Sequence, residues 1–77
     1  MTAQEYNQMV DEYADELYRF LLKSMKDEST AQDLVQETFE KVWVNRAKIN
    51  AVTSKSYLFS TGYHLMIDHV RKHKRIT

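Results

Sequence analysis

Asp33, Gln36, Glu37 and Glu40 lie at helical spacing on one side of a segment whose other side is apolar. Three carboxylates and an amide on a rigid face form a preorganised set of hydrogen-bond acceptors, suited to Arg or Lys of another protein. A solvated helix face usually mixes signs, with a cation following Glu by four. Here Lys41, four after Glu37, is the only cation until Arg46. The competing reading is an ordinary solvated face. Further on, the aromatics Tyr57, Phe59 and Tyr63 precede the cations Arg71, Lys72, Lys74 and Arg75. Rings that stack on bases, beside groups that hold phosphates, suit single-stranded nucleic acid. Against this stands a plainer account: the rings complete a core and the cations complement a helix dipole. His69 and His73, four apart and preceded by His64, raise the question of a metal. No carboxylate completes a set in the style of His-Glu-x-x-His and there is no Cys, so these are expected to be surface or helix-end histidines. With no Gly-rich phosphate loop and no nucleophile–base pair at informative spacing, neither an enzyme nor a cofactor is expected.

Helices must position these groups. The chain has no Pro and a single Gly, Gly62. Tyr6, Met9, Val10, Tyr13, Leu17, Phe20, Leu21 and Met25 predict an amphipathic first helix from about Glu5 to Lys26. Asp27-Glu28-Ser29 breaks it. Ser29 with Gln32 reads as a capping box, with Asp33 in the first turn of a second helix that runs to about Arg46. Ala31, Leu34, Val35, Thr38, Phe39, Val42 and Trp43 form the apolar stripe of that helix. On this pattern Trp43 is core, and Trp43→Ala should cost about 3–5 kcal/mol. Periodicity is lost from Ala47 to Thr53, and Thr53 or Ser54 is placed to cap a third helix from about Lys55 to Lys74. The expected fold is all-α, a three-helix bundle in one domain covering residues 1–77. A helix-turn-helix is disfavoured, because the segment between the last two helices is longer than its three- or four-residue turn.

Composition narrows the class further. A chain of 77 residues supports one small core. The absence of Cys fits a reducing cytoplasm, and neither a signal peptide nor a membrane-spanning run is expected from the polar, acidic start and the short apolar runs. Net charge is zero, yet residues 1–45 carry −6 and residues 46–77 carry +6. Such segregation suggests two partners of opposite character.

The string Asp33-Leu34-Val35-Gln36-Glu37-Thr38-Phe39 with Trp43 is followed by Ser56-Tyr57-Leu58-Phe59 and then by Ile67-Asp68-His69-Val70-Arg71-Lys72. In that order, ending in a basic run, the two resemble domain two of a bacterial RNA polymerase sigma factor of the extracytoplasmic-function group. The resemblance extends from about Tyr13 to Arg75. It implies a transcription initiation factor whose second helix binds the clamp helices of the largest polymerase subunit, through Asp33, Gln36, Glu37 and Phe39. Phe39 stands on the edge of the apolar stripe and reads equally as core. The resemblance also implies that the loop before the third helix, and that helix, recognise and help melt the promoter −10 element by capturing an extruded non-template base. Unstacking a base costs a few kcal/mol, which a preformed pocket offsets.

Carried over by position, Lys48, Asn50, Ser54 and Lys55 are loop candidates and Tyr57, Ser60, Tyr63 and His64 are helix candidates. Arg71, Lys72 and Arg75 are candidates for the DNA backbone. Many relatives carry Trp, Arg, Arg and Asn-type residues where this chain has Tyr57, Ser60, Tyr63 and His64. The preferred base is therefore open. Many family members are held inactive by an anti-sigma factor, a further partner the resemblance implies. The domain that reads the −35 element is absent from this chain, which is expected to be a fragment or an isolated domain. A helical bundle that binds proteins without touching DNA is the alternative; the basic half discriminates, through salt-dependent DNA binding.

Overall fold

The computed structural model describes residues 1–74, with side chains described as far as Lys72. Arg75, named above as a candidate for the DNA backbone, lies outside the described residues, and so does the side chain of Lys74. Thr2 opens helix α1 (Ala3–Met25) with a reciprocal capping box. The Thr2 hydroxyl accepts from the Glu5 N–H at 3.1 Å, and the Glu5 carboxylate accepts from the Thr2 N–H at 2.8 Å. Those bonds hold the Glu5 carboxyl below its ordinary range. At the other end Lys26 turns left-handed, with φ 59, and its N–H reaches the Leu22 carbonyl at 2.7 Å.

That reversal moves the start of the second helix. Helix α2 spans Glu28–Val44, and its cap is Asp27, not the Ser29–Gln32 box expected from sequence. The Asp27 carboxylate accepts from the Thr30 N–H at 3.3 Å and from the Thr30 hydroxyl. Lys26 completes the turn in one residue, so the first free N–H groups come earlier than a search for an Ser-x-x-Gln box would place them. Consequently Glu28, not Asp33, supplies the negative charge of the first turn.

Helix α2 ends at Val44, where Asn45 N–H and Asn45 Nδ2 both donate to the Lys41 carbonyl, at 3.1 and 2.9 Å. The segment expected to be irregular is two 3₁₀ turns, Arg46–Lys48 and Ala51–Thr53, with Ile49 plugged into the core between them. The Met1 ammonium donates to the Arg46 and Ile49 carbonyls, at 3.0 Å each, and ties the first of these turns to the start of α1. Helix α3 follows as Ser54–Lys74. Neither Thr53 nor Ser54 caps it. Their hydroxyls donate to the Asn50 and Ala51 carbonyls, at 3.2 and 2.8 Å, while Asn50 Oδ1 accepts from the Val52 N–H at 2.9 Å. The nine residues 45–53 are too many for a helix-turn-helix.

The fold is an all-α three-helix bundle in which each helix packs on the other two. Leu17, Leu21, Ala31, Val42 and Leu58 are completely buried at its centre, with Met9, Leu34, Phe39, Ile49 and Met66 around them. Gly62 lets α3 approach closely: a Cβ there would stand 3.0 Å from Leu17 Cδ1 and 3.5 Å from Thr38 Oγ1. Thr38, buried at the same crossing, satisfies its hydroxyl on the Leu34 carbonyl at 2.6 Å.

Trp43 departs from the expected core. It is 38% exposed and lies on the rim, 4.9 Å from the Tyr6 ring, with the Arg46 guanidinium carbon 3.7 Å above its centroid. The apolar stripe of α2 is wider than the groove it fills, so its last member spills onto the surface. Trp43→Ala should therefore cost about 1–2 kcal/mol, from partial burial, one ring pair and one cation–π contact. Thermal denaturation checks this; a loss of 3 kcal/mol or more would return Trp43 to the core.

Candidate functional site

Burial of Leu34, Thr38, Phe39 and Val42 fixes the roll of α2, and this turns Asp33, Gln36, Glu37 and Glu40 outward. The four exposed residues line a shallow recess of about 400 Å³. Among the described residues the ion pairs are Arg19–Asp15, Lys55–Glu16 and Lys72–Asp68, so Asp33, Glu37 and Glu40 keep their carboxylates unpaired. Glu40 also borders a second hollow, of about 440 Å³, formed with Ala3, Tyr6, Asn7, Trp43 and Val44. Burial, with the Glu40 charge added to it, raises the Tyr6 phenol above its ordinary range. Phe39 does not share the acceptor face. It is 8% exposed, edge-on to Tyr6, whose hydroxyl donates to the Phe39 carbonyl at 3.0 Å. Of the four residues named on α2 for a protein partner, three are presented together and Phe39 goes to the core.

The loop candidates divide in the same way. Lys48 and Asn50 are exposed. Asn50 spends its amide oxygen on the Val52 N–H, which leaves the NH₂ group to donate outward. Ser54 commits its hydroxyl to the Ala51 carbonyl. Lys55 leans back on α1, 3.5 Å from Glu16 and 5.2 Å from the Tyr13 ring centroid.

On α3 the burial of Leu58, Gly62 and Met66 leaves Tyr57, Ser60, Tyr63, His64 and Arg71 along one exposed strip. Tyr57 is 37% and Tyr63 48% exposed, whereas Phe59 packs against Phe20 with centroids 5.7 Å apart. The aromatic trio is thus two surface rings and one that belongs to the core. Tyr63 and His64 adjoin at 5.9 Å between centroids. His64 Nδ1 lies 2.7 Å from the Ser60 carbonyl. A carbonyl only accepts, so Nδ1 carries the proton, and in the neutral ring Nε2 points outward as an acceptor. Arg71 and Lys72 are exposed near the helix end, and Lys72 makes a loose pair with Asp68 at 3.7 Å.

Sequence reasoning missed Lys41. Four residues after Glu37, it makes no ion pair with it among the described residues and instead borders a groove against α3. The available signal was its spacing of three from Thr38, which puts Lys41 on the flank of α2 nearest α3. Ser60 Oγ lies 3.5 Å from His64 Nδ1, but that nitrogen donates to the Ser60 carbonyl and is not free to act as a base toward the hydroxyl. The arrangement offers one acceptor surface and one surface of rings and cations, held by different helices. No helix of the described residues is long and apolar enough to cross a membrane.

Comparison with known proteins follows the same lines. Residues 9–76 match the profile of the family described as Sigma-70 region 2. The ECF RNA polymerase sigma factor SigM of Bacillus subtilis (strain 168) is 40% identical over 75 residues, 97% of this chain and 44% of that protein. SigX of the same organism, also an ECF RNA polymerase sigma factor, is 33% identical over 69 residues, 88% of this chain and 36% of that protein. SigE of Mycolicibacterium smegmatis (strain ATCC 700084 / mc(2)155), of the same description, is 30% identical over 71 residues, 92% of this chain and 28% of that protein. The chain spans less than half the length of each of these relatives. No solved structure matches it.

Proposed function

Since the chain belongs to the Sigma-70 region 2 family, as domain two of an extracytoplasmic-function sigma factor, we propose that it acts in transcription initiation by joining core RNA polymerase to promoter DNA. The observation that carries this reading is the separation of two surfaces on one rigid bundle. Unpaired acceptors Asp33, Gln36, Glu37 and Glu40 occupy α2, while rings and cations occupy the loop and α3. Polymerase docks on the first through cations of its clamp helices, and Phe39 supports that face from beneath without touching the partner. The chain does no covalent chemistry. Its work is to hold a strand in an open conformation that polymerase then uses, in the cytoplasm where polymerase resides. An anti-sigma factor that covers either surface would silence it.

On the DNA side, Tyr57 and Tyr63 offer faces for stacking, and Lys48, Arg71 and Lys72 neutralise phosphates of the −10 element. His64 takes the role of base reader. With Nδ1 committed to the Ser60 carbonyl, Nε2 of the neutral ring is an acceptor for an N–H group on the edge of an extruded base. The Asn50 NH₂ group, a donor, complements a base acceptor from the loop. Preorganisation is the gain here: Asn50 is fixed by Val52 and His64 by Ser60 before any base arrives.

Two kinds of variant separate these roles. Arg71→Ala with Lys72→Ala should flatten the dependence of log affinity on log salt, by on the order of one unit per lost phosphate contact. His64→Ala or Asn50→Ala should leave the slope nearly alone and change which base is preferred. Fluorescence anisotropy of labelled −10 strands, with core polymerase present, across a salt series and a panel of base variants, reads both. If both kinds of variant lost affinity equally for every sequence, base capture by this loop and helix would be abandoned. No salt-dependent affinity of the parent for any strand would favour a bundle that binds only proteins.

A further inference from the structure

The groove between α2 and α3, about 430 Å³, is bordered by Lys41 from one helix and by Thr61, His64, Asp68 and Arg71 from the other. Its charge is lopsided. Lys41 and Arg71 make no ion pair among the described residues, while the one carboxylate, Asp68, is already drawn to Lys72 at 3.7 Å. Lys41 had a partner within its own helix in Glu37, one turn back, and does not take it. Lys41 and Arg71 thus bring two cations to the groove from different helices against the single carboxylate of Asp68, which gives its border a net positive charge.

We infer that this groove is a phosphate seat, in which Lys41 and Arg71 hold one phosphodiester of the promoter strand from opposite sides. The inference rests on the DNA-binding reading above and adds to it a residue of α2. That helix then serves both partners: its outer face meets polymerase, and its α3-facing flank meets DNA. The Thr61 hydroxyl lies in the same groove as a neutral donor, and the strip of Tyr57, Ser60 and His64 runs along α3 toward it. A strand whose base is read by His64 therefore passes its phosphate over Lys41 within a short reach. A single Lys so placed acts as a point charge, so Arg should replace it in charge but Gln should not.

The test uses Lys41→Gln and Lys41→Arg in the 77-residue chain, with core polymerase and a labelled single-stranded −10 oligonucleotide. Expected for Lys41→Gln is a several-fold loss of affinity at low salt, with the log–log salt slope reduced by about 0.7, the value for one single-strand phosphate contact. Lys41→Arg should keep the parent slope. Capture of polymerase should be unchanged in both, and so should circular dichroism, because Lys41 is exposed. A slope unmoved by Lys41→Gln in a chain that still binds the strand overturns the seat alone. Loss of polymerase capture by Lys41→Gln also overturns it, by assigning Lys41 to the other surface. A parent chain with no salt-dependent affinity for the strand overturns the DNA reading and the seat together.

Discussion

Gln36→Ala combined with Glu37→Lys abolishes capture of core RNA polymerase and leaves the three helices melting as in the parent. Both residues are exposed on the outer face of α2, and neither supports the bundle. Folding should therefore be indifferent to the change. Binding should not be. The Lys side chain sets a cation against the cations that the proposed function brings to this surface. Removing one member of a buried, hydrogen-bonded charge contact typically costs about 2–5 kcal/mol, and reversing a charge adds like-sign repulsion. A loss of that size corresponds to roughly 30- to several-thousand-fold in affinity. Pull-down by immobilised core polymerase, with circular dichroism alongside, reads both halves of the result. Undiminished capture by a natively folded double variant would remove the acceptor face from the polymerase interface.

The second large effect lies in the core. Leu17→Ala should destabilise the domain by about 2–5 kcal/mol, the usual cost of truncating a buried leucine. Leu17 is completely buried in α1 and meets α3 where Gly62 allows the two helices to close. Collapse of the surroundings into the vacated space is restricted there, because Thr38 of α2 already fills the other side of the crossing. A chain of 77 residues has a total stability of only roughly 4–12 kcal/mol. Thermal unfolding should accordingly shift down by about 10 °C or more. Polymerase capture and DNA affinity should fail together on warming, unlike the surface variants, which lose one and keep the other. A melt within a few degrees of the parent would show that the crossing is not the centre of the core.

Much of this architecture is legible in the chain because helical periodicity reports burial directly. The inward residues expected for α1 are inward, and the acceptor face of α2 is outward. The features that spacing does not report depend on what happens between helices. Asp27 displaces Ser29 as the cap of α2 because Lys26 reverses the chain in one left-handed residue, a conformation that Lys seldom signals. Asn50 caps the 3₁₀ turn that leads directly into α3, and the Thr53 and Ser54 hydroxyls turn back to carbonyls of that turn instead of capping the helix. Trp43 leaves its expected place in the core, and Phe39 takes the core side of its two readings, for a geometric reason: a stripe read from spacing has no edges, whereas a groove does. Phe39 falls inside that groove and Trp43 on its rim. For the candidate site, residue type marked the surfaces, but the side-chain bonds decide which groups remain available. Ser54 and Lys55 are engaged within the bundle, while Lys48, Asn50 and His64 keep groups facing outward.

On the function proposed above, one small bundle joins polymerase to an opened −10 strand through two separate surfaces. The most direct measurement is the affinity of the chain for a labelled non-template −10 oligonucleotide, with and without core polymerase, for the parent and for the Gln36→Ala, Glu37→Lys variant. Polymerase should increase the affinity of the parent, the variant should lose this increase, and the two chains should bind the oligonucleotide equally when polymerase is absent. An increase that survives in the variant, or a parent whose affinity polymerase leaves unchanged, would contradict the proposed function.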